Sequence, residues 1–255
     1  MKNNKTSSEV IINNLYNPED VNNRNELRDL MLNAPIPDDE LFNNIGLFID
    51  RRTLSRFLFI NELYQKVLQI HGSVFEFGVR YGQNISLFTS LRGIYEPFNH
   101  NRKIVGFDTW EGFSNFDKKN DKSNWSNGDF SVPNNYELFL EKVISVHEKM
   151  APIENIKKHT LVKGNAIETI SEYLNNHQET IISLAYFDFD IYKPTKKCLE
   201  QILPYLSKGA IIAFDEINVE DFPGETKALR EVLGTNNFKI IHSAFRANAG
   251  YIVFE

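Results

Sequence analysis

The segments SLAYFDFD (183–190) and AIIAFDE (210–216) each consist of an apolar run that ends in acidic residues. The apolar runs have the length and composition of buried β-strands, and residues 191–207 between them have the pattern of a helix that ends at Lys208-Gly209. A strand, helix, strand unit of this kind predicts two parallel strands. The sequence therefore places four acids at the carboxyl edge of one sheet, where open α/β folds bind ligands: Asp188, Asp190, Asp215 and Glu216.

Four carboxylates at one edge would repel one another unless a cation lay among them or some of them kept their protons. Oxygen ligands suit magnesium or manganese, so the pair of clusters predicts a divalent metal site. The alternative is that the acids cap the helices that follow, because Asp is a favoured N-cap. For Asp190 taken alone, that alternative stays open.

Composition restricts the class of protein. The chain has 255 residues, 42% of them hydrophobic, which predicts one main domain with an appendage. Its net charge of −6 argues against a nucleic acid or an anionic membrane as partner. The amino terminus lacks the apolar segment of a signal peptide, and no apolar stretch reaches the roughly 18 residues of a membrane span. We therefore expect a cytoplasmic protein, and a homo-oligomer is possible.

The chain divides into three predicted parts. Residues 1–45 form a polar arm or lid, residues 46–72 a helical collar, and residues 73–255 an α/β domain in which strands and helices alternate. Alternation of this kind predicts a doubly wound, mostly parallel sheet of seven strands. Only a short turn separates the last two strands, which are therefore expected to form a terminal antiparallel hairpin. The predicted strands lie near residues 73–79, 103–108, 159–163, 183–189, 210–214, 238–243 and 250–254.

The first turn of this domain, within FEFGVRYG (75–82), has glycines four residues apart, so that the backbone can approach a ligand closely. Glu76 before the turn would repel a pyrophosphate and suits a cationic ligand with an amino or sulfonium group. At the end of the second strand, Asp108 is placed to accept hydrogen bonds from ribose hydroxyls. A plain tight turn, with Asp108 as a turn cap, is the alternative.

Five motifs occur in order along the chain: ExGVxxG (76–82), GFDTWEGF (106–113), KGNAIETI (163–170), DFDIYKPT (188–195) and FDE (214–216). Together they resemble the macrocin O-methyltransferase family, whose members are S-adenosylmethionine- and magnesium-dependent enzymes that methylate sugar hydroxyls of natural products. The resemblance covers about residues 55 to 240. It implies a Rossmann-like class I methyltransferase sheet with an N-terminal helical arm, and a small-molecule sugar as acceptor.

The resemblance also implies a role for each matching residue. Those that would bind S-adenosylmethionine are Glu76, Gly78, Gly82 and Ser86 at the methionine part, Asp108 at the ribose, and Asn165 and Ala166 at the adenine. Those that would bind Mg²⁺ or Mn²⁺ are Asp188, Asp215 and Glu216. Asp190 would be the general base. The chain departs from the family at Glu216, where an aspartate is more usual, and at Phe189, where a small residue is usual.

Three alternatives to a sugar methyltransferase stay open. A catechol-type methyltransferase would use a similar magnesium site. A nicotinamide-dependent oxidoreductase would share the sheet and Asp108, and a non-catalytic scaffold could share the fold. The polar insertion 114–134 is long for a connection and is predicted to be a lid.

Overall fold

The computed structural model describes residues 17–121 and 125–255. Within them, seven strands form one sheet in the order β3-β2-β1-β4-β5-β7-β6. The first five strands run parallel, and β7 runs antiparallel to both β5 and β6. The predicted mostly parallel sheet and its terminal antiparallel hairpin are confirmed. The strands are β1 (Ser73–Phe77), β2 (Ile104–Asp108), β3 (His159–Lys163), β4 (Ile182–Phe187), β5 (Leu206–Phe214), β6 (Ile241–His242) and β7 (Gly250–Val253).

Helices connect the strands. Those of the described residues are α1 (Pro18–Leu32), α2 (Asp38–Asn43), α3 (Arg51–Lys66), α4 (Gln83–Tyr95), α5 (Tyr136–Lys149), α6 (Ala166–Asn176), α7 (Tyr192–Ile202) and α8 (Gly224–Val232), with short 3-10 helices at Ile45–Phe48 and Leu203–Tyr205. No described helix is both long and apolar enough to cross a membrane.

Alternating side chains of the strands build two apolar layers, one on each face of the sheet. On β1, Val74 belongs to one layer, whereas Phe75 and Phe77 belong to the other. The first layer packs against side chains of α3, α4 and α5, and the second against those of α6, α7 and α8. Cys198 on α7 is a fully buried member of the second layer.

A row of four phenylalanines crosses the sheet near its carboxyl edge. Phe77 is in register with Phe107 on β2 and with Phe187 on β4, and Phe187 is in register with Phe214 on β5. Neighbouring rings are stacked, with centroids 5.1, 4.6 and 5.3 Å apart along the row. The residues that follow these four phenylalanines are therefore held side by side at the edge of the sheet: Gly78, Asp108, Asp188 and Asp215.

The sequence prediction is wrong about the end of α7. The helix was expected to continue to Ser207 and to end at Lys208-Gly209, but α7 ends at Ile202 and β5 already begins at Leu206. Pro204 explains the early end, because proline has no N–H for a helical hydrogen bond and its ring crowds the preceding turn. Gly209 lies within β5, where its N–H donates to the Phe254 carbonyl at 2.6 Å.

The chain divides into two compact units at Phe57 and Leu58. In the first unit, α1 begins after Asn17, whose side chain accepts the Glu19 N–H at 3.1 Å. No residue from 19 to 57 is fully buried. This unit is held in part by ion pairs, such as Arg24 with Asp50 at 2.8 Å.

In the second unit, Arg102 forms a buried polar centre just before β2. Its guanidinium binds Glu96 through Nε at 2.7 Å and through Nη2 at 2.9 Å, and Nη1 donates to the Ser183 hydroxyl at 2.7 Å. The remaining hydrogen bonds go to the carbonyls of Val67, Ile70 and Gly72. Arg102 thus joins the segment after α3 to the starts of β1 and β4.

Replacing Arg102 should destabilise the protein strongly. Arg102→Met leaves Glu96 without its cation and removes one donor from each of three carbonyls, so we expect a loss of about 3–5 kcal/mol in the free energy of unfolding, measured by urea denaturation. Lys103→Met is the matched control, because Lys103 binds one carbonyl in an exposed position, and it should change stability by less than about 0.5 kcal/mol. Equal losses in both variants would contradict this role of Arg102.

Candidate active site

The glycine turn after β1 lies directly against the first acidic segment. Gly78 has a φ of +96°, a backbone conformation that favours glycine, and a Cβ at this position would overlap the carbonyl oxygen of Asp188. Gly82, with a φ of +81°, begins α4, and a Cβ there would overlap the side chain of Leu140. Gly78 is therefore required by its close approach to the Asp188 backbone, which brings the turn and the acids together, whereas Gly82 is favoured chiefly by its positive φ.

Two further predicted cofactor residues lie next to this turn. Glu76 is fully buried in β1, where it is in register with Gly106 on β2 and with Tyr186 on β4. Ser86 lies in the first turn of α4, and its N–H donates to the Gly82 carbonyl at 3.1 Å. Glu76 therefore places a carboxylate in the middle of the sheet, immediately before the turn.

Asp108 holds two turns in place. Its Oδ2 accepts the Arg80 N–H at 2.7 Å, and its Oδ1 accepts the Trp110 N–H at 2.6 Å. Burial raises the pKa of the Asp108 carboxyl, and hydrogen bonds from backbone N–H groups oppose that rise. The turn-capping role is thus visible in the geometry, and three backbone N–H groups, of Val79, Arg80 and Trp110, leave the carboxylate one lone pair with which it can accept a ligand hydroxyl.

Asn165 and Ala166 lie where α6 begins. Asn165 is the N-cap of α6, since its Oδ1 accepts the Ile167 N–H at 3.3 Å. Its Nδ2 donates to Glu168 at 3.1 Å, and Asn115 of the insertion donates to its Oδ1 at 3.4 Å. The insertion therefore reaches the segment predicted to bind adenine.

The predicted acids come together at the edge of the sheet. The pKa of Glu216 is raised to about 9 by burial and by the nearby carboxylates of Asp215, Asp190 and Asp188, while Arg246 opposes the rise. Because Phe187 and Phe214 are in register, Asp188 and Asp215 are neighbours at this edge, as the parallel strands predicted. One Glu216 oxygen, Oε2, is buried and has no hydrogen-bond partner among the described residues.

Asp215 has partners of its own in this cluster. It accepts a short hydrogen bond from the Tyr186 hydroxyl, and its Oδ2 binds the Arg246 guanidinium at 2.8 Å. Across residues 17–121 and 125–255, no three His, Cys, Asp or Glu side chains converge in a geometry that would hold a metal ion. The donor set has the oxygen chemistry that a hard cation needs, but the acids are not arranged around a common point.

The sequence analysis missed Glu225, which organises the cluster. This fully buried residue of α8 accepts the N–H groups of Phe189 at 2.9 Å and Asp190 at 3.2 Å through Oε1, and the N–H of Glu216 at 3.1 Å through Oε2. Its pKa is raised by burial and by the carboxylates of Asp190, Asp188 and Asp215. An acid in the first turn of a helix is common, so the sequence carried no signal that set this one apart.

Comparison with known proteins gives the class. No family model matches the chain, and no curated protein matches it. Among solved structures, it is similar to CalS11, a calicheamicin methyltransferase, with 40% identity, 93% of each chain covered and a TM-score of 0.91. It is also similar to apo CalS11, a TDP-rhamnose 3′-O-methyltransferase, with 38% identity, 93% of this chain and 95% of that chain covered, and a TM-score of 0.83. The O-methyltransferase NovP, at 14% identity, 78% and 79% coverage and a TM-score of 0.58, shows the fold alone.

The fold and these similarities define a class I S-adenosylmethionine-dependent methyltransferase. Within that class, the chain belongs to the macrocin O-methyltransferase family of sugar O-methyltransferases, because it shares 40% identity with CalS11 over 93% of its length. The resemblance seen in the sequence motifs is confirmed. The alternative of a nicotinamide-dependent oxidoreductase is wrong.

Replacing Glu225 should uncouple the two acidic segments. Glu225→Gln keeps the size of the side chain but offers one carbonyl oxygen to three N–H groups and turns its own NH₂ toward at least one of them. We expect kcat to fall about 10- to 100-fold, as for the loss of 1–3 kcal/mol, while the Kd for S-adenosylmethionine changes less than twofold. Steady-state kinetics and isothermal titration measure these two quantities.

Glu231→Gln is the control for this prediction. It removes the same charge from the same helix, where Glu231 is exposed and paired with Lys196 at 2.6 Å, and it should leave kcat unchanged. A Glu225→Gln variant with normal kcat would show that Glu225 does not position the cluster.

Proposed function

We propose that this enzyme transfers the methyl group of S-adenosylmethionine to one hydroxyl of a small-molecule sugar, of the class of nucleotide-linked deoxyhexoses. The observation that carries the proposal is the contact between the glycine turn and the first acidic segment, where Gly78 leaves no room for a side chain beside Asp188. A methyl donor held by the turn would lie next to the acids that act on the acceptor. CalS11, which acts on TDP-rhamnose, supports this class of acceptor.

The proposed cofactor site follows from the geometry of the turn. Glu76, Gly78, Gly82 and Ser86 would bind the methionine part, with the buried Glu76 carboxylate matching the positive charge of the amino and sulfonium groups. Asp108 would accept hydrogen bonds from the ribose, in addition to those from the backbone. Asn165 and Ala166 would lie beside the adenine.

Asp190 is the proposed general base. In the reaction, a bond forms between the acceptor oxygen and the methyl carbon, the bond between carbon and sulfur breaks, and the hydroxyl proton passes to the Asp190 carboxylate. Asp190 has a φ of +62°, which is unusual for a residue with a side chain, and its N–H is held by Glu225. The strained backbone at Asp190 thus helps to set the direction in which its carboxylate points.

A divalent cation is part of the proposal. Asp188, Asp215 and Glu216 would hold it, and the buried, unbonded Oε2 of Glu216 and the repulsion within the cluster support this donor set. A cation there would supply the positive charge that makes the acceptor hydroxyl more acidic. For Asp215 to join the donor set, its ion pair with Arg246 would have to open.

The domain limits remain part of the prediction. We propose that residues 73–255 carry the methyl transfer, that residues 46–72 are a helical collar, and that residues 1–45 are an arm. Residues 1–16 of that arm, and residues 122–124 of the insertion, lie outside the described residues.

Removal of the cation should stop the reaction. Excess EDTA is expected to abolish turnover, and Mg²⁺ or Mn²⁺ to restore it. Glu216→Gln should weaken Mg²⁺ binding at least tenfold in isothermal titration, yet leave the metal-free protein as stable as before, because glutamine matches the shape and charge of the protonated carboxyl that the raised pKa of Glu216 favours. Glu200→Gln, on the exposed side of α7, is the control. Full turnover in excess EDTA would contradict the metal.

The acceptor class can be tested with a panel of TDP-rhamnose, a glycosylated small molecule and a simple catechol. We expect methylation of a sugar that has two neighbouring hydroxyls and a loss of most of the rate when one of them is removed. Asp190→Asn should lower kcat by about 10²- to 10⁴-fold with unchanged affinity for S-adenosylmethionine. Rapid methylation of the catechol, with none of any sugar, would show that the acceptor class is wrong.

A further inference from the structure

Asp121 is a buried acid in the insertion, far in sequence from the acidic segments but in contact with the start of α7, which follows the first of them. Its Oδ1 accepts the N–H of Tyr192, the first residue of α7, at 2.7 Å, and its Oδ2 accepts the N–H of Asp117 at 2.9 Å. The residue is 6% exposed. Burial raises the pKa of the Asp121 carboxyl, and the two backbone N–H groups oppose that rise.

This contact supplies a cap that α7 lacks. The N-cap residue of α7 is Ile191, whose side chain has no hydrogen-bond acceptor. A carboxylate at the first turn of a helix satisfies a backbone N–H that has no partner within the helix and is favoured by the helix dipole. Asp121 therefore performs from the insertion what Ile191 cannot do locally.

A second hydrogen bond joins the same part of the insertion to α8. Lys227 donates through Nζ to the Asn120 carbonyl at 2.7 Å. At the start of α8, Gly224 lies so close to residues 190–192 that a Cβ would be 2.7 Å from the Asp190 carbonyl oxygen. The insertion, α7 and α8 thus converge on the backbone of residues 190–192.

That backbone is the segment that carries Asp190. Its positive φ is a conformation that L-residues adopt at a cost, so the surroundings must hold it. Glu225 holds the Asp190 N–H from one side, and Asp121 holds the Tyr192 N–H two residues further on. Each carboxylate fixes one end of this short segment.

We propose that Asp121 is a positioning residue for methyl transfer, which fixes the direction of Asp190 by capping α7 and which holds residues 114–121 of the insertion beside the acidic cluster. The proposal rests on the proposed role of Asp190 as general base. It assigns to Asp121 a part in the geometry of the reacting groups and none in the binding of S-adenosylmethionine.

The test compares Asp121→Ala, Asp121→Asn and Lys227→Met with the wild-type protein. We expect Asp121→Ala to lower kcat 10- to 100-fold and to raise the acceptor KM at least threefold, with the Kd for S-adenosylmethionine changed less than twofold. Asp121→Asn should recover part of the kcat, because its carbonyl oxygen can still accept the Tyr192 N–H. Lys227→Met should raise the acceptor KM and leave kcat within threefold.

Asp129→Asn is the matched control, since Asp129 lies in the same insertion and caps its own exposed turn by accepting the Ser126 N–H at 2.8 Å. It should leave kcat and the acceptor KM within twofold. A wild-type kcat in Asp121→Ala, or an equal loss in the control, would overturn the proposal. So would a loss of S-adenosylmethionine affinity that parallels the loss of kcat, because that would indicate a general structural role.

Amide hydrogen exchange provides a readout that needs no acceptor. Asp121→Ala should speed exchange at Tyr192 at least tenfold relative to the wild-type protein, while Asp129→Asn should not. If the wild-type protein methylates no sugar but this difference is present, the proposed acceptor fails and the cap on α7 stands. If sugar is methylated but exchange at Tyr192 is unchanged, the positioning role of Asp121 is wrong.

Discussion

The register between β2, β1, β4 and β5 is the constraint on which the rest of this structure depends. It is fixed by four phenylalanine rings stacked at one level across the sheet, Phe107, Phe77, Phe187 and Phe214. A shift of one residue in any of these strands would turn its ring to the opposite face. It would also remove from the edge the residue that follows the ring, and those four residues are the starting points of the glycine turn after β1, the turn after β2 and both acidic segments.

Above this row, the active site is organised by backbone hydrogen bonds to acids more than by contacts between side chains. Asp108 holds two turns, Glu225 holds both acidic segments, and Asp121 holds the start of α7. Carboxylates suit this task because each oxygen can accept more than one N–H. The carboxylates of the site also repel one another, and this repulsion raises the pKa of Glu216. A positively charged ligand or ion would reduce this repulsion, so the acidic cluster suits a sulfonium cofactor and the proposed cation.

Arg246 has a particular place in this balance. Arg246 lies on the segment between β6 and β7, and its guanidinium pairs with Asp215. The chain itself thus supplies a cation to the acidic cluster. A divalent ion that used Asp215 would compete with this guanidinium, which explains how a set of acids with suitable chemistry can lack a common center for a metal in the described residues. The short terminal hairpin thus bears on the site, although its strands lie at the far edge of the sheet from β2 and β3.

The sequence by itself determined the alternation of strands and helices, the terminal hairpin, the family and the meeting of Asp188, Asp190, Asp215 and Glu216 at one edge. These follow from local patterns, because parallel strands must present their carboxyl ends together. The predicted end of α7 was wrong, because Pro204 ends the helix although the apolar pattern continues past it. Only the tertiary structure decided the roles of Glu225 and Asp121. Each is an ordinary acid in its local sequence, and its function arises from N–H groups that the fold brings to it from elsewhere in the chain.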